Sequence, residues 1–443
     1  MNKKITPEII EKILEVIKLE VRPALGCTEP ISTALASAIV REYLGKIPDT
    51  LQIYVSGNLF KNAMAVSVPH TQMQGLPIAA AMGLACGDSK LKLEVLRNAT
   101  NKDLELAKTL IPKIHIKIQE NTPSIYIQAI GKVNHPLPSK YKTISVTIAH
   151  EHTHIQEITG DSQTLLYNPF NTQESHQKIF ENLLLEDIYE IACEIQEDKI
   201  AFIAESDRLN SALSDEGLKK NYGLGIGKTF LKHMENGLSA NDLQNKILIY
   251  TTAASDARMG GANLPAMSNS GSGNQGITAT MPVVITAKHL KKEHLLNRAL
   301  FLSHLVAIYI HSKLPRLSSL CAVTTAGIGS YAGIAWLFTQ DFKTISHGIS
   351  SMIGDISGIL CDGAANSCSM KVATTIQSAY KSLLLALDKS YVTGNEGIVA
   401  DDVNESIQNL CDIANQSLKS ADKQILEIMI KKYEHKLQNQ EKS

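Results

Sequence analysis

The chain has 443 residues, of which 44% are hydrophobic and 20% are charged, a balance that supports a buried core and excludes an intrinsically disordered protein. Its net charge of −1 argues against a nucleic-acid binder or a polybasic membrane-surface protein. It shows neither a signal-peptide core nor the ~18 uninterrupted apolar residues of a membrane-spanning helix. We therefore expect a cytoplasmic protein of about two to three domains.

The first 88 residues predict helices around a single strand. Apolar residues recur every three or four positions over 7–19, which is typical of an amphipathic helix. A loop leads to a second, alanine-rich helix over about 30–44, and residues 51–55 read as a strand. A third helix, over 76–86, is rich in alanine and glycine, which suits close helix contact. We expect these small-residue helices to suit a homodimer.

The spacing of apolar residues changes between about residues 90 and 170. Apolar residues there alternate with period two, which indicates strands, around one helix at 101–110. The predicted strands are 90–96, 114–118, 124–130 and 143–150. The sequence thus predicts an α+β protein, in which a small α/β module of mostly antiparallel strands (89–175) is inserted into a mainly helical catalytic body (1–88 and 176–443).

Four of the seven cysteines lie in loops of small residues. Cys361 and Cys368 are seven residues apart on either side of Gly363, and Cys321 precedes them by forty positions. Glycines near an iron–sulfur cluster let backbone amides approach its sulfurs, so these thiols are candidate ligands of one cluster with an open iron. Their spacing matches neither a ferredoxin nor a paired zinc motif, and burial as small hydrophobic residues is the alternative. We expect that alternative for the cysteines in helix-like runs, Cys86, Cys193 and Cys411.

The fourth loop cysteine, Cys27, lies just before the second predicted helix. The dipole and free amides of a helix N-terminus stabilise a thiolate. Cys27 is therefore a candidate base, nucleophile or fourth cluster ligand, which would face the other three cysteines across the site. A buried thiol in a turn is the structural alternative.

The run Ser-Asn-Ser-Gly-Ser-Gly-Asn-Gln-Gly at 268–276 predicts a carboxylate-binding loop, because its small residues leave backbone N–H groups accessible. A linker has the same composition, but this run lies between two core-like stretches. Arg258 could pair with a bound carboxylate or simply with Asp256, and Lys61 could serve a structural role instead. The residues expected to hold the carboxylate and ammonium of a substrate are Asn58, Lys61, Arg258, Ser268, Ser270, Ser272 and Asn274.

Two further motifs are weaker. The run 223–229 nearly matches a phosphate-binding loop, but Tyr222 stands where that motif needs its first glycine, so we do not expect a nucleotide site. His150, His152 and His154 would share one face of a strand. Such a face could bind a metal ion, although we favour a solvated sheet face.

Together these motifs resemble the L-cysteine desulfidase family, whose members are relatives of the alpha part of iron–sulfur L-serine dehydratases. The resemblance extends over nearly the whole chain in order. It is carried by residues 26–30, 56–58 with 61–62, 75–81, 257–261, 268–276, 320–327 and 360–371.

The resemblance implies an oxygen-sensitive [4Fe-4S] cluster with Cys321, Cys361 and Cys368 as its ligands and Cys27 as the proton acceptor. It also implies conversion of L-cysteine and water to pyruvate, ammonia and sulfide. The alternatives are an L-serine dehydratase and a non-catalytic iron–sulfur redox sensor. The chain departs from the family in having fewer glycines at 63–72 and an extra histidine at 150–154, and the first departure leaves the choice of amino acid open.

Overall fold

The computed structural model describes residues 5–138, 140–170, 176–315 and 317–440. These residues form seventeen α-helices, a six-stranded mixed sheet and a two-stranded antiparallel sheet, which confirms the predicted α+β class. None of the helices in these ranges combines the length and the apolarity needed to cross a bilayer.

The larger sheet has the strand order β3-β2-β4-β5-β6-β7. Its strands are β2 (Thr50–Val55), β3 (Ile114–Ile118), β4 (Tyr126–Lys132), β5 (Thr143–Ala149), β6 (Ile155–Gly160) and β7 (Gln163–Tyr167). Strand β2 pairs in parallel with β3, and the other neighbouring strands are antiparallel. Since β2 precedes residue 89, the sheet takes one of its inner strands from outside the segment 89–175.

The segment 90–96 is not a strand, contrary to the sequence prediction. Residues Ser89–Glu94 form a 3-10 helix, with Lys92 in a kink at φ 50°. The Asp88 side chain accepts a hydrogen bond from the backbone N–H of Lys90 and so favours a turn at this point. Leu93 and Val95 are buried all the same, so burial produced the apolar pattern that had suggested a strand.

The helical body surrounds a second core and is joined to the small sheet, which pairs β1 (Pro23–Leu25) with β8 (Pro265–Met267). In chain order, the helices that precede the strands of the large sheet or lie between them are α1 (Pro7–Glu20), α2 (Thr28–Leu44), α3 (Gly57–Ala63), α4 (Leu76–Cys86) and α5 (Asn101–Leu110). The later helices are α6 (Leu185–Glu194), α7 (Glu197–Ile200), α8 (Ala204–Lys219), α9 (Ile226–Glu235), α10 (Leu243–Met259), α11 (Gly273–Leu290), α12 (Leu296–His311), α13 (Ala322–Thr339), α14 (Phe342–Ile356), α15 (Cys368–Leu387), α16 (Val403–Asn415) and α17 (Leu418–Gln440).

The small-residue helices α2 and α4 pack against each other and against the large sheet. A Cβ added to Gly83 in α4 would lie 2.2 Å from the carbonyl oxygen of Ala34 in α2, so the two helix backbones are in direct contact. The alanine-rich surfaces that suggested a homodimer are thus used inside one chain.

Helix α17 closes the body against α3 through a buried ion pair between Lys61 and Asp422. The Lys61 side chain is 2% exposed, and its ammonium also donates a hydrogen bond of 3.1 Å to the carbonyl oxygen of Cys361. Leu426 of α17 fills the space beside Gly57 at the start of α3. Three segments that are far apart in the chain therefore meet at one lysine.

We expect Asp422→Ala to lower the free energy of unfolding by roughly 3 kcal/mol, because it leaves the Lys61 ammonium buried without its counter-charge. Urea denaturation followed by circular dichroism measures the change. The double variant Lys61→Met/Asp422→Leu should recover most of the loss, since it removes both charges.

Glu8→Ala is the matched control, because it breaks the exposed Lys12–Glu8 pair and should leave the urea midpoint unchanged. An unaltered midpoint in Asp422→Ala would show that the buried pair does not stabilise the fold.

Candidate active site

A cavity of about 100 Å³ lies where four helices begin, with ample room for more than one water molecule. Cys27 is the N-cap of α2, Ser272 that of α11 and Cys321 that of α13, and α15 starts at Cys368. Each helix start adds unpaired N–H groups and a partial positive charge to the cavity wall. The site is therefore suited to thiolates and carboxylates.

The backbone brings Cys321 and Cys361 together despite the forty residues between them. Leu320 and Leu360 form an isolated antiparallel bridge. The N–H of Cys321 donates to the carbonyl of Ile359 (2.9 Å), and the N–H of Cys361 donates to that of Ser319 (2.7 Å). The two cysteines are thus held side by side by short loops rather than by regular secondary structure.

The third cysteine of the group, Cys368, lies in the first turn of α15 and accepts a hydrogen bond of 3.4 Å from the N–H of Ala365. The loop between it and Cys361 turns at Gly363, whose φ of 96° is one that side chains rarely adopt. A Cβ at Gly363 would also lie 2.4 Å from the carbonyl oxygen of Lys61, so only glycine fits.

The three thiols have different proton affinities. The Cys321 thiol donates a hydrogen bond to the Cys361 sulfur, which raises the pKa of Cys321 and lowers the pKa of Cys361. The nearby Lys61 ammonium lowers the pKa of Cys361 further. Burial raises the pKa of Cys368. Cys361 is therefore the thiol of this group that most readily becomes a thiolate.

The described residues contain no group of three or more His, Cys, Asp or Glu side chains placed to hold a single metal ion. A zinc site would need its sulfurs about 2.3 Å from one point. Cys321, Cys361 and Cys368 instead share the wall of one cavity.

Cys27 is 2% exposed and packs against Met259 and Cys368, so it faces the other cysteines as the sequence predicted. Burial raises the pKa of the Cys27 thiol to about 12, and the opposing influence of the Arg258 guanidinium is smaller. The sequence predicted that the helix N-terminus would stabilise the thiolate, but desolvation of the buried thiol has the larger effect and favours the protonated form.

Arg258, at the end of α10, is buried and lines the cavity. Its Nη1 donates to the side-chain oxygen of Asn274 and its Nη2 donates to the carbonyl of Gly26, each over 3.2 Å. A Cβ at Gly273 would lie 2.1 Å from Arg258 Nε, so this glycine makes room for the guanidinium.

Four of the seven residues predicted to bind substrate line the cavity, namely Arg258, Ser270, Ser272 and Asn274. The other three hold neighbouring backbone instead. Asn58 donates to the carbonyl of Leu317, Ser268 donates to that of Arg22, and Lys61 forms the contacts with Asp422 and Cys361 described above. For Lys61 the structure thus shows the structural role left open by the sequence.

The phosphate-loop-like run at 223–229 is used internally. The carboxylate of Asp256 accepts a hydrogen bond of 3.2 Å from the N–H of Gly227 in the first turn of α9. Burial raises the pKa of Asp256 to about 6. An internal carboxylate thus lies where a phosphate would bind, and Arg258 donates instead to Asn274 and Gly26.

The cavity also contains three titratable side chains that the sequence did not assign to this site, namely Glu29, His152 and His311. The Glu29 carboxylate accepts hydrogen bonds from the side chains of Asn62 (3.2 Å) and Thr28 (3.1 Å), and His152 Nε2 lies 4.0 Å from it. Burial raises the pKa of Glu29. The order Cys-Thr-Glu-Pro could have predicted that Glu29 lies near the site, because a glutamate two residues after Cys27 falls in the first turn of the same helix.

The three histidines do not share a strand face, contrary to the prediction. Strand β5 ends at Ala149, and His150 adopts a positive φ of 69° that starts a turn. His152 enters the cavity, whereas His150 and His154 pack against the ring of Phe170. The turn rather than the sheet face therefore brings the strand-rich segment to the site.

Comparisons with known proteins give one family model and several relatives of similar length. The family model described as "Serine dehydratase alpha chain" matches residues 90–427. The "UPF0597 protein" of Actinobacillus pleuropneumoniae serotype 5b (strain L20) is 53% identical over 433 residues, which cover 97% of this chain and 99% of that protein.

Two other relatives are similar over nearly their full length. The "UPF0597 protein" of Dichelobacter nodosus (strain VCS1703A) is 48% identical over 432 residues, again 97% of this chain and 99% of the relative. The "UPF0597 protein YhaM" of Salmonella typhimurium (strain LT2) is 49% identical over 440 residues, with the same coverage. The chain therefore belongs to the serine dehydratase alpha-chain family.

Proposed function

We propose that this protein is an iron–sulfur-dependent β-elimination lyase that converts L-cysteine and water to pyruvate, ammonia and sulfide. The observation that carries the proposal is that Cys321, Cys361, Cys368 and Cys27 all line one cavity, in which Cys27 and Cys368 belong to one packed cluster. Membership of the serine dehydratase alpha-chain family supports a lyase.

The donor set supports a [4Fe-4S] cluster rather than a single ion. Three thiols surround the cavity, and the starts of α13 and α15 favour negative charge beside two of them. Lys61, held by Asp422, brings a positive charge close to the third, Cys361. Three cysteine ligands leave one iron of such a cluster open, and when bound the cluster would supply a Lewis acid that assists departure of the β-substituent.

The remaining cavity residues bind and orient the amino acid. Arg258 and the loop 270–274 would hold its carboxylate, because a guanidinium and helix-start N–H groups are suited to an anion. Cys27 would accept the proton from the α-carbon. Burial raises the pKa of Cys27, so its thiol must first lose its own proton to solvent, and the resulting thiolate is then a strong base. The Arg258 guanidinium opposes the effect of burial and favours this thiolate.

Elimination then balances without an oxidant. The Cα–H bond gives its proton to Cys27 Sγ and its electron pair to a new Cα–Cβ double bond, while the Cβ–S bond breaks and sulfur leaves with its electrons as hydrosulfide. The released aminoacrylate tautomerises to an imine, which water hydrolyses to pyruvate and ammonia.

L-serine dehydratase is the second candidate, and the description of the matched family favours it. The same residues would remove the same α-proton, and hydroxide would leave in place of hydrosulfide. The two candidates therefore differ only in the leaving group that the cavity accepts.

Replacing each proposed ligand tests the cluster. We expect Cys321→Ser, Cys361→Ser and Cys368→Ser to lose most of their iron and visible absorbance and to fall to background activity after anaerobic reconstitution. Cys27→Ala should keep its iron and lose about 100-fold to 10,000-fold in kcat, the usual range for a missing general base.

Cys86→Ser is the matched control, because Cys86 lies outside the cavity and its thiol donates a hydrogen bond to the carbonyl of Met82. Full iron content in an inactive Cys361→Ser protein would contradict its role as a ligand. Loss of iron in Cys27→Ala would instead make Cys27 a fourth ligand.

A substrate comparison tests the reaction. Anaerobically reconstituted protein should form pyruvate faster from L-cysteine than from L-serine, because hydrosulfide is the better leaving group. Faster turnover of L-serine would make the protein a serine dehydratase. A cluster without pyruvate from either amino acid would indicate a sensor, and a colourless preparation with full activity would refute the cluster.

A further inference from the structure

The cavity carries one positive and one negative side chain. Among the described residues that line it, Arg258 and Glu29 are the only members of the Arg, Lys, Asp and Glu group. An α-amino acid at neutral pH carries the same two charges in reverse, a carboxylate and an ammonium. The charge pattern of the wall is therefore complementary to a zwitterion.

Arg258 provides the cationic end. Two of its nitrogens are used to hold Asn274 and Gly26, but its Nε is buried and has no hydrogen-bond partner within the described part of the chain. A buried donor left without a partner costs free energy, which a ligand carboxylate would recover.

Glu29 provides the anionic end. Each of its oxygens accepts a hydrogen bond from a neutral group, Asn62 on one side and Thr28 on the other. No Lys or Arg among residues 5–138, 140–170, 176–315 and 317–440 is in ion-pair contact with it, and the nearest ionisable partner is His152, whose Nε2 lies 4.0 Å from Glu29 Oε1. A carboxylate that is 11% exposed lacks most of its hydration and gains strongly from a cation.

Both ends are fixed to the same backbone. Thr28 Oγ1 lies 3.1 Å from Glu29 Oε2 and 2.9 Å from the carbonyl oxygen of Gly271. Three residues after Gly271, the Asn274 side chain accepts a hydrogen bond from Arg258. The distance between the two charged groups is thus set by the start of α2 and the start of α11 together. A rigid pair of this kind selects ligands by the positions of both of their charges.

We propose that Glu29 binds the α-ammonium group of the substrate, opposite Arg258 at the carboxylate, and so selects α-amino acids over α-hydroxy acids. This inference rests on the proposed function, which supplies the amino-acid substrate. A hydroxy acid presents a neutral hydroxyl to Glu29 and leaves the buried carboxylate without a counter-charge, and a site built around a polar partner rejects analogues that lack it.

Two unreactive probes test the proposal, L-alanine and L-lactate, which differ only in the ammonium and hydroxyl at Cα. Their affinities for anaerobically prepared protein are measured by calorimetry and by competition with L-cysteine. We expect the wild-type protein to prefer L-alanine and Glu29→Gln to lose about tenfold to a hundredfold of that preference. Glu29→Gln should also raise the KM for L-cysteine more than it lowers kcat.

Glu42→Gln is the matched control, because Glu42 lies on the same helix, outside the cavity, and should keep the preference. The melting temperature and visible spectrum of each variant establish that it is folded and loaded, and Glu29→Asp, which keeps the charge, should retain part of the preference if Glu29→Gln does not fold.

Equal preference in wild type and Glu29→Gln, or a loss confined to kcat, would overturn the role of Glu29 while leaving the lyase reaction intact. A preference that Glu29→Gln abolishes, in a wild-type protein that forms no pyruvate, would support the ammonium site and refute the proposed function.

Discussion

The site depends on the convergence of four helix N-termini on a cavity whose wall buries thiols and a carboxyl group. Thiols and carboxyl groups that are buried in the wall of a small cavity lose their hydration, as the raised pKa of Cys27 and Glu29 illustrates. The starts of α2, α11, α13 and α15 supply backbone N–H groups and positive dipole ends to the same space. Without that convergence, burial of four cysteines and a glutamate in one site would cost more desolvation free energy.

The loops that meet there are held by contacts distant in sequence. The Leu320–Leu360 bridge places two cysteines side by side, and the Lys61 ammonium supports the carbonyl of one of them. The sheet contributes as well, since the turn after β5 inserts His152 next to Glu29. Helical body and sheet therefore form the cavity jointly, although their apolar cores are largely distinct.

Local chemistry in the sequence predicted much of this arrangement. Glycine-flanked cysteines and the run 268–276 indicated a site. Periodicity located the helices at 7–19, 30–44, 76–86 and 101–110 and four of the eight strands of the described residues, because both signals lie within a few residues. What it missed depends on tertiary context. The apolar alternation at 90–96 reflected burial in a turn, and the Lys61–Asp422 pair joins residues 361 positions apart. The sequence predicted that His152 would lie on a strand, but strand β5 ends at Ala149 and His150 starts a turn with a positive φ.

Helix α17 follows every cavity-lining residue in chain order and lies against α3 and the loop that carries Cys361. During synthesis on the ribosome, the residues that line the cavity thus emerge before the helix that supports this loop. Lys61 gains its counter-charge, Asp422, only when α17 has been made and has docked, so the support of the Cys361 carbonyl is completed last.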